Sequence, residues 1–353
     1  MIPEAGRVHR ILVRANNWIG DVVMISPAIR ALRERFAQAE IAILARPWVL
    51  DTLAGNPFFD RLIPYENPGR HAGLLGRVRL ARELRRQKFD LAVLFQKAFD
   101  AAFLAALAGI PIRVGHDTDR RGFLLTERIS VNAATERMHH VDFFLEVALA
   151  CGCVPGSREP FFYLSDADRR WAAEFLRQAG TAPGARLVTI HTGGSKAPRA
   201  WHADRFAALA RRLSGKHDLA PVIVGDAGDL AAARMVKESV PAAVIAAGAS
   251  SVRGMAALIE ASSLFVGNDS GPMHIAGALG TPVVGIFGPG IPEKTAPRGE
   301  RIRFEAVTRR FPCAPCRQNF FRECEPASSG KPYCLEEIDV ESVAAACDRV
   351  LRG

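Results

Sequence analysis

Short apolar runs alternate with helical patterns along this chain, and the alternation occurs twice. The first series has apolar runs at 11–13, 41–44, 62–63 and 91–95. The second has runs at 187–190, 222–224, 244–246, 264–266 and 283–287. Runs of this length between helical patterns are typical of βαβ units and parallel sheets. The sequence therefore predicts an α/β chain with two doubly wound parallel sheets that face a cleft.

A break rich in glycine and proline separates the two series. Segments 152–160 and 181–184 flank a charged helical pattern at 166–178, and no internal sequence repeat is evident. This break predicts a first domain at 1–160, a connection at 161–184 and a second domain at 185–335. Residues 336–353 are predicted to form a C-terminal helix, and its packing on the first domain stays an open alternative.

Composition limits the class of protein. The chain has 353 residues, of which 49% are hydrophobic and 24% charged, which suits two ordered domains. The first nine residues are polar and lack a following apolar segment, so we predict a cytoplasmic protein without a secretory signal. A formal net charge of +9 favours anionic partners such as nucleotides, phosphorylated glycans, nucleic acid or an acidic membrane surface, but does not choose among them.

The most basic segment is 70–88, where seven arginines and lysines accompany one acid, Glu83. The spacing predicts an amphipathic helix with its basic residues outside an apolar stripe, which consists of Leu74, Val78, Ala81 and Leu84. Arg79, Arg82 and Arg86 fall on another side. This side is either a solvated face or a surface for phosphorylated lipid headgroups.

Loops that follow strands are the candidate sites, because ligands of doubly wound sheets bind beyond the carboxyl ends of the strands. In loop 16–21, Asp21 stands at the start of a helical pattern. An ionised carboxylate there can accept a proton from an attacking hydroxyl group. Helix capping is the alternative interpretation.

Loop 267–274 has the composition of an anion-binding helix start. Asp269 and Ser270 are N-cap residue types, and Gly271 precedes a proline that opens the helix. An anion at this end would meet backbone N–H donors and the positive end of the helix dipole, and His274 lies one turn further on. Plain capping explains the same residues about equally well.

Two further loops carry donors for a nucleotide. In loop 191–201, Gly194 exposes backbone N–H, Ser195 offers a hydroxyl, and Lys196 and Arg199 offer charge to a diphosphate. An ordinary surface loop is the alternative. In loop 225–229, Asp229 can either bind a ribose hydroxyl or cap a helix.

Together these loops resemble glycosyltransferase family 9, the ADP-heptose:lipopolysaccharide heptosyltransferases. The resemblance is carried by segments 18–24, 191–201, 268–274, 278–284 and 287–289. The first motif is most similar to the heptosyltransferase II members. The resemblance implies a GT-B fold and inverting transfer of heptose from ADP-L-glycero-β-D-manno-heptose to the heptose/Kdo inner core of lipopolysaccharide. It also implies that the protein is peripheral and acts at the inner face of the inner membrane. By the same resemblance, the reaction requires no metal or cofactor, and the protein has no nucleic-acid partner.

By position, the resemblance makes Asp21 the general base, the first domain the acceptor-binding domain, and the second the nucleotide-sugar domain. The expected donor contacts are Gly194, Ser195, Lys196, Arg199, Asp229, Asp269, Ser270, Gly271 and His274. The expected acceptor contacts are Asn17, Trp18, Arg70 and Arg77. Arg199 stands where the family usually has lysine, so both Arg199 and Lys196 remain candidates for the diphosphate.

Seven cysteines occur in the chain. Four of them, namely Cys313, Cys316, Cys324 and Cys334, include one C-x-x-C pair, so a structural zinc site is an alternative that we do not favour. The other three are expected to be small core residues. Two further functional alternatives also stay open: a sugar-nucleotide epimerase of similar fold, and a non-catalytic binding protein with two lobes.

Overall fold

The computed structural model describes residues 4–194, 196–300, 302–314, 316 and 318–352. It divides into two compact units, with the boundary between Tyr163 and Leu164. Among the described residues, no helix is both long and apolar enough to cross a membrane.

From residue 4 onward, where its description begins, the first unit contains six strands and six α-helices. The strands are β1 (Arg10–Arg14), β2 (Glu40–Ala45), β3 (Arg61–Pro64), β4 (Leu91–Leu94), β5 (Ile112–His116) and β6 (Glu127–Ile129). The helices are α1 (Ile19–Met24), α2 (Ser26–Arg35), α3 (Pro47–Leu53), α4 (Gly73–Arg85), α5 (Phe99–Leu107) and α6 (His140–Ala150).

The second unit contains six strands and eight α-helices among its described residues. The strands are β7 (Arg186–His191), β8 (Leu219–Val224), β9 (Val244–Ile245), β10 (Leu264–Asn268), β11 (Val283–Phe287) and β12 (Phe304–Thr308). The helices are α7 (Asp166–Gln178), α8 (Ala203–His217), α9 (Leu230–Ser239), α10 (Val252–Glu260), α11 (Gly271–Leu279), α12 (Pro292–Thr295), α13 (Tyr333–Glu336) and α14 (Val340–Arg352).

Each unit is built on one six-stranded parallel sheet. The strand order is β3-β2-β1-β4-β5-β6 in the first unit and β12-β11-β10-β7-β8-β9 in the second. Counted from the first strand of each unit, the two orders are the same, and they match the order of the Rossmann fold. The predicted α/β class with two doubly wound parallel sheets is confirmed.

The strands are apolar because both faces of each sheet are covered. In β1, Ile11 and Val13 pack into one buried cluster, while Leu12 packs into a second cluster on the other face. In β2, Ile43 packs into the first of these clusters and Leu44 into the second. A parallel sheet with helices on both faces produces near-continuous apolar runs of this kind, which explains why these strands were visible in the sequence.

The structure corrects several predicted elements. The helical pattern that follows the first apolar run, at 22–36, predicts a single helix, but the structure has two helices, α1 and α2, with Ile25 between them. The apolar runs did not predict β5, β6 or β12. These strands were missed because charged residues interrupt them, as in Ile112–His116, and because β6 and β12 lie at sheet edges, where an apolar run is not required.

Helix α4 differs from the predicted basic helix in its buried face. Ala81 and Leu84 are buried as predicted, together with Gly76 and Leu80. Leu74, however, is 65% exposed. The reason lies at Gly76: a Cβ atom there would stand 2.3 Å from the carbonyl carbon of His71, so the first turn packs through its glycine and directs its leucines outward.

Helices α7 and α14 both pack within the second unit. Helix α7 (Asp166–Gln178), predicted as part of a connection, belongs to the second unit and packs on α10. Helix α14 packs on α8, β11 and β12 of the same unit. The domain assignment at 185–335 and the alternative packing of the C-terminal helix on the first domain stay predictions.

The start of α7 is fixed by a capping box joined to an ion pair. Oγ of Ser165 accepts from the backbone of Asp168, whose carboxylate accepts from the Ser165 N–H at 2.8 Å. Arg253 of α10 donates to the same carboxylate, from Nε at 3.0 Å. The hydrogen bonds from Arg253 and then those from Ser165 lower the pKa of Asp168 to about 2. This carboxylate therefore ties α7 to α10.

Replacing Asp168 by asparagine should lower the free energy of unfolding at neutral pH by about 2 kcal/mol. The pKa of this carboxyl is depressed in the folded state, so its contribution is present above the ordinary value of 3.8 and is lost as the pH falls towards about 2. Urea unfolding of both proteins between pH 7 and pH 2 measures the difference. Asp166→Asn is the matched control, since that side chain is exposed, and it should change stability by less than about 0.5 kcal/mol. An equal effect of the two substitutions would contradict the assignment.

Candidate active site

Asp21 lies at the carboxyl end of β1, as the third residue of α1. The N-cap position of this helix is Trp18, so Asp21 is not the N-cap residue but stands in the first turn. Nδ2 of the buried Asn16 lies 3.5 Å from Oδ2 of Asp21. The Asp21 side chain is 24% exposed. A carboxylate held in this way at the sheet edge is accessible to a hydroxyl group and can accept its proton.

A histidine that the sequence analysis missed stands beside this carboxylate. Nδ1 of His140, the first residue of α6, lies 3.9 Å from Oδ1 of Asp21. The His140 ring meets Phe144 edge-on. A neighbouring imidazole stabilises the charged form of a carboxylate when it is protonated. No local pattern indicates this pair, because only the fold brings the start of α6 to the start of α1.

Two exposed tryptophans flank the same loop. Trp18 is 64% exposed, and Trp48 of α3 is 51% exposed. The Trp48 indole N–H donates to the carbonyl of Asn17 at 2.8 Å, and Nη2 of Arg14 donates to the Asn17 side chain at 2.9 Å. Asn17 is thereby held at both its backbone and its side chain. Exposed indole rings next to a carboxylate suit contact with the face of a sugar.

The two predicted acceptor arginines of the first unit are both paired with carboxylates. Arg70 donates to Glu83 at 2.5 Å and lies 3.5 Å from Glu66. Nε of Arg77 donates to Asp100 at 2.6 Å. Arg77 lies at the carboxyl edge of the sheet through this contact, whereas Arg70 is bound to α4 through Glu83.

In the second unit, Asn268 at the end of β10 organises the candidate donor loops. Its side chain is fully buried. Nδ2 donates to the carbonyls of Thr192 and Gly193, at 3.0 and 2.7 Å, and Oδ1 accepts from the backbone N–H of Trp201 at 2.9 Å. One side chain thus joins both ends of loop 191–201 to the start of the 268–274 motif. Asn268 belongs to the predicted motif, but this role in holding the loops was not predicted.

Asp269 and Arg199 form a largely buried ion pair. Nη2 of Arg199 donates to Oδ2 of Asp269 at 2.7 Å and to its carbonyl at 3.0 Å. Burial raises the pKa of Asp269, and the Arg199 charge opposes this rise. Nε2 of His274 lies 4.0 Å from Oδ1 of Asp269. The structure therefore brings three predicted donor residues together at the start of α11.

The N-terminus of α11 lacks side-chain capping. Ser270 occupies the N-cap position, but its hydroxyl makes no cap hydrogen bond. Instead Oγ of Ser270 lies 3.0 Å from Nδ1 of His191. Burial lowers the pKa of His191 to about 4, so this ring is neutral at neutral pH. Capping by Ser270 thus does not explain the motif, and the helix end that begins at Gly271 keeps its affinity for an anion.

Other predicted donor residues have different surroundings. Nζ of Lys196 lies 5.5 Å from the ring centre of Phe320, Gly194 is exposed, and Ser195 lies outside the described residues. Asp229 accepts from the Asp226 N–H at 3.0 Å in a capping box, as the capping alternative predicted. Oδ2 of Asp229 also lies 3.8 Å from Nε2 of His191, the residue that contacts Ser270. Asp229 therefore both caps its helix and lies near the Ser270 loop.

The cysteines are free thiols. The pKa of Cys334 is raised to about 12, first by burial and then by Cys316, Cys313 and Cys324. Across the part of the chain that the structure describes, no group of three or more histidine, cysteine or acidic side chains has a metal-binding arrangement. Cys151, Cys153 and Cys347 are buried core residues, as predicted.

Known proteins with related sequences and folds identify the family. The model of "Glycosyltransferase family 9 (heptosyltransferase)" matches residues 77–324, more than half of the chain. Lipopolysaccharide heptosyltransferase 2 of Escherichia coli strain K12 is 27% identical over 310 residues, covering 83% of this chain and 87% of that protein. Lipooligosaccharide heptosyltransferase 2 of Campylobacter jejuni strain NCTC 11168 is 23% identical, covering 98% of this chain and 99% of that protein.

Solved structures agree on the fold. A family 9 glycosyl transferase from Veillonella parvula superposes with a TM-score of 0.86 and 23% identity, covering 100% of this chain and 99% of that one. E. coli ADP-heptose lps heptosyltransferase II superposes with a TM-score of 0.78 and 23% identity, covering 97% and 98%. The predicted GT-B fold class is confirmed. The chain belongs to glycosyltransferase family 9, the heptosyltransferase family, and is a glycosyltransferase.

Proposed function

We propose that this glycosyltransferase moves heptose from ADP-L-glycero-β-D-manno-heptose to the heptose/Kdo inner core of lipopolysaccharide, with inversion at the anomeric carbon. The observation that carries the proposal is the Asp21 carboxylate, which lies at the carboxyl edge of the first sheet, partly exposed and beside the buried Asn16. The curated relatives named as lipopolysaccharide heptosyltransferases support the choice of substrates.

In the proposed reaction, an acceptor hydroxyl oxygen attacks the anomeric carbon of the donor. Asp21 takes the hydroxyl proton while the bond between this carbon and the β-phosphate oxygen breaks. ADP leaves with the electron pair of that bond. A single displacement of this kind inverts the anomeric centre and needs no covalent enzyme intermediate. We assign acceptor contacts to Asn17 and Trp18, which directly precede the helix of Asp21.

The donor half of the proposed site is the start of α11. The departing diphosphate would meet backbone N–H groups from Gly271 onward and the positive end of the helix dipole. We assign Arg199 to this charge in preference to Lys196, because Arg199 is fixed beside Asp269 while Lys196 stands over an aromatic ring. Ser270 and His274 complete the proposed donor contacts, and no metal is required in this scheme.

We also propose that α4 brings the enzyme to the inner face of the inner membrane as a peripheral protein. Leu74 is exposed in its first turn and Leu75 is 86% exposed. Arg79 and Arg82 are exposed on the same helix. Exposed leucines with neighbouring arginines are typical of helices that bind anionic membrane surfaces. A cytoplasmic peripheral enzyme would thereby meet a lipid-linked acceptor.

The test is a transfer assay with purified protein, ADP-heptose and a panel of acceptors. The panel contains Kdo2-lipid A with and without a first heptose, each with and without phosphate on that core. We expect release of ADP together with an acceptor product heavier by one heptose residue, in buffer with EDTA as well as without it. Unchanged acceptor with an altered sugar nucleotide would instead indicate an epimerase.

A further inference from the structure

Four adjacent strands of the first sheet end at a group of polar side chains that the proposed mechanism does not use. We call this group the arginine cluster. Its members lie at or after the ends of β1, β2, β3 and β4 and are Arg14, Arg46, Tyr65, Arg77 of α4 and Asp100 of α5. Arg14 is 2% exposed, and Tyr65 is fully buried.

Two guanidinium groups of this cluster lie against one ring. The guanidinium carbon of Arg14 is 5.2 Å from the ring centre of Tyr65, and that of Arg46 is 4.4 Å away. Burial, and next the like charge of Arg46, lower the pKa of Arg14 to about 10. Two positive charges thus lie close together in surroundings with little water. This arrangement raises the free energy of the folded protein unless a negatively charged group binds beside them.

Several donors of these two arginines have no hydrogen-bond partner within the described part of the chain. They are Nε of Arg14 and both Nε and Nη1 of Arg46, and all three are buried atoms. Buried polar groups in folded proteins are nearly always hydrogen-bonded, and charged donors lose the most when they are not. The partners that fit several guanidinium donors are the oxygens of a carboxylate or a phosphate.

The carboxylate of the cluster is already in use. Asp100 accepts from Nε of Arg77 at 2.6 Å and from the Tyr65 hydroxyl at 2.7 Å. Burial and this hydrogen bond to Asp100 raise the pKa of Tyr65, so its hydroxyl is neutral. Asp100 also favours the charged form of Arg14, but this one carboxylate cannot balance the three guanidinium groups of the cluster.

The cluster is connected to the Asp21 loop. Nη2 of Arg14 donates to the side chain of Asn17, and the Trp48 indole donates to the Asn17 backbone. The Arg46 guanidinium lies 5.6 Å from the ring centre of Trp48. A group bound by the two arginines would therefore lie next to the loop that leads into Asp21.

We propose that Arg14 and Arg46 bind an anionic oxygen group, a phosphate or a carboxylate, of the sugar acceptor and thereby make the enzyme selective for a charged acceptor. That the bound molecule is the acceptor rests on the proposed function. Binding of the anion itself does not, and it can be measured without any transfer reaction.

The first experiment measures thermal unfolding while inorganic phosphate or acetate is added at constant ionic strength, with saturating ADP present to occupy the second unit. We expect at least one anion to raise the melting temperature of the wild type, and Arg46→Gln to lose most of that rise. Arg14→Lys keeps the charge but changes the donor geometry, and should reduce the rise. Arg128→Gln is the control, because it removes one positive charge from an exposed position of β6 in the same unit and should behave as the wild type. Equal rises in the wild type, Arg46→Gln and Arg14→Lys, or no rise in any protein, would overturn the proposal.

The second experiment separates the two sources of the anion. Transfer is measured with acceptors that lack either the core phosphate or, as a methyl ester, the Kdo carboxylate. For the acceptor that carries the recognised group, Arg46→Gln should raise KM about tenfold or more and leave KM for ADP-heptose unchanged. An equal KM of wild type and Arg46→Gln for every acceptor would contradict acceptor selection. If the wild type transfers to no acceptor, the proposed function fails, and the anion titration still decides the role of the arginines.

Discussion

Asp21→Asn is expected to lower kcat for heptose transfer by about 10²–10⁴-fold, the usual contribution of a general base. Asparagine preserves the size of the side chain but cannot take the proton of the acceptor hydroxyl. KM for ADP-heptose should change little, because the proposed donor contacts lie in the second unit. Initial rates of ADP release, together with the mass of the glycosylated acceptor, measure the effect.

The matched control is Asp51→Asn, which makes the same chemical change at an exposed position of α3 in the same unit. This variant should retain wild-type kcat. Melting temperatures of both variants show whether the fold is intact. Wild-type turnover in a folded Asp21→Asn protein would exclude Asp21 as the base and would direct attention to its neighbour His140.

Asn268→Ala should lower the free energy of unfolding of the second unit by about 3 kcal/mol or more. The substitution removes three buried hydrogen bonds and leaves the carbonyls of Thr192 and Gly193 and the N–H of Trp201 without their partner. Since these bonds hold loop 191–201, ADP affinity should fall about tenfold or more as well. Urea unfolding and calorimetric titration with ADP measure the two effects.

Asn319→Ala is the control for this loss. Asn319 is exposed, and its amide contacts Glu323 at 3.2 Å. This substitution should change stability by less than about 0.5 kcal/mol and leave ADP binding as it is. A stability loss below 1 kcal/mol in Asn268→Ala would mean that the loop is held by other contacts.

Much of the fold could be predicted because the central strands of a covered parallel sheet must be apolar. β1, β2, β7 and β11 were visible for this reason. The same physics explains the omissions, since the short edge strand β6 carries charged residues. The boundary between α1 and α2 at Ile25 could not be predicted either, because the apolar pattern continues from one helix into the next.

The candidate site was predictable where local sequence fixes the role. Asp21 and the motif around Asp269 could be named as candidate site residues, because each lies in a loop that follows a strand. Local sequence could not show partners that are distant along the chain, such as His140 beside Asp21. Apart from Arg77, the arginine cluster was missed for the same reason, since Arg14 at the end of an apolar strand is interpreted as a surface residue until the fold buries it beside Arg46.

The shared strand order of the two sheets makes β1 and β7 topological equivalents. The loop that leads to Asp21 and the loop that carries Arg199 are therefore corresponding positions of a backbone repeat for which the sequence retains no recognisable repeat. In one copy this position holds the proposed proton acceptor, and in the other it holds glycines and a cation for the proposed leaving group. The two halves of the reaction are thus assigned to one architectural position used twice, and exchanging these loops between units would test whether the position or the loop sequence determines the chemistry.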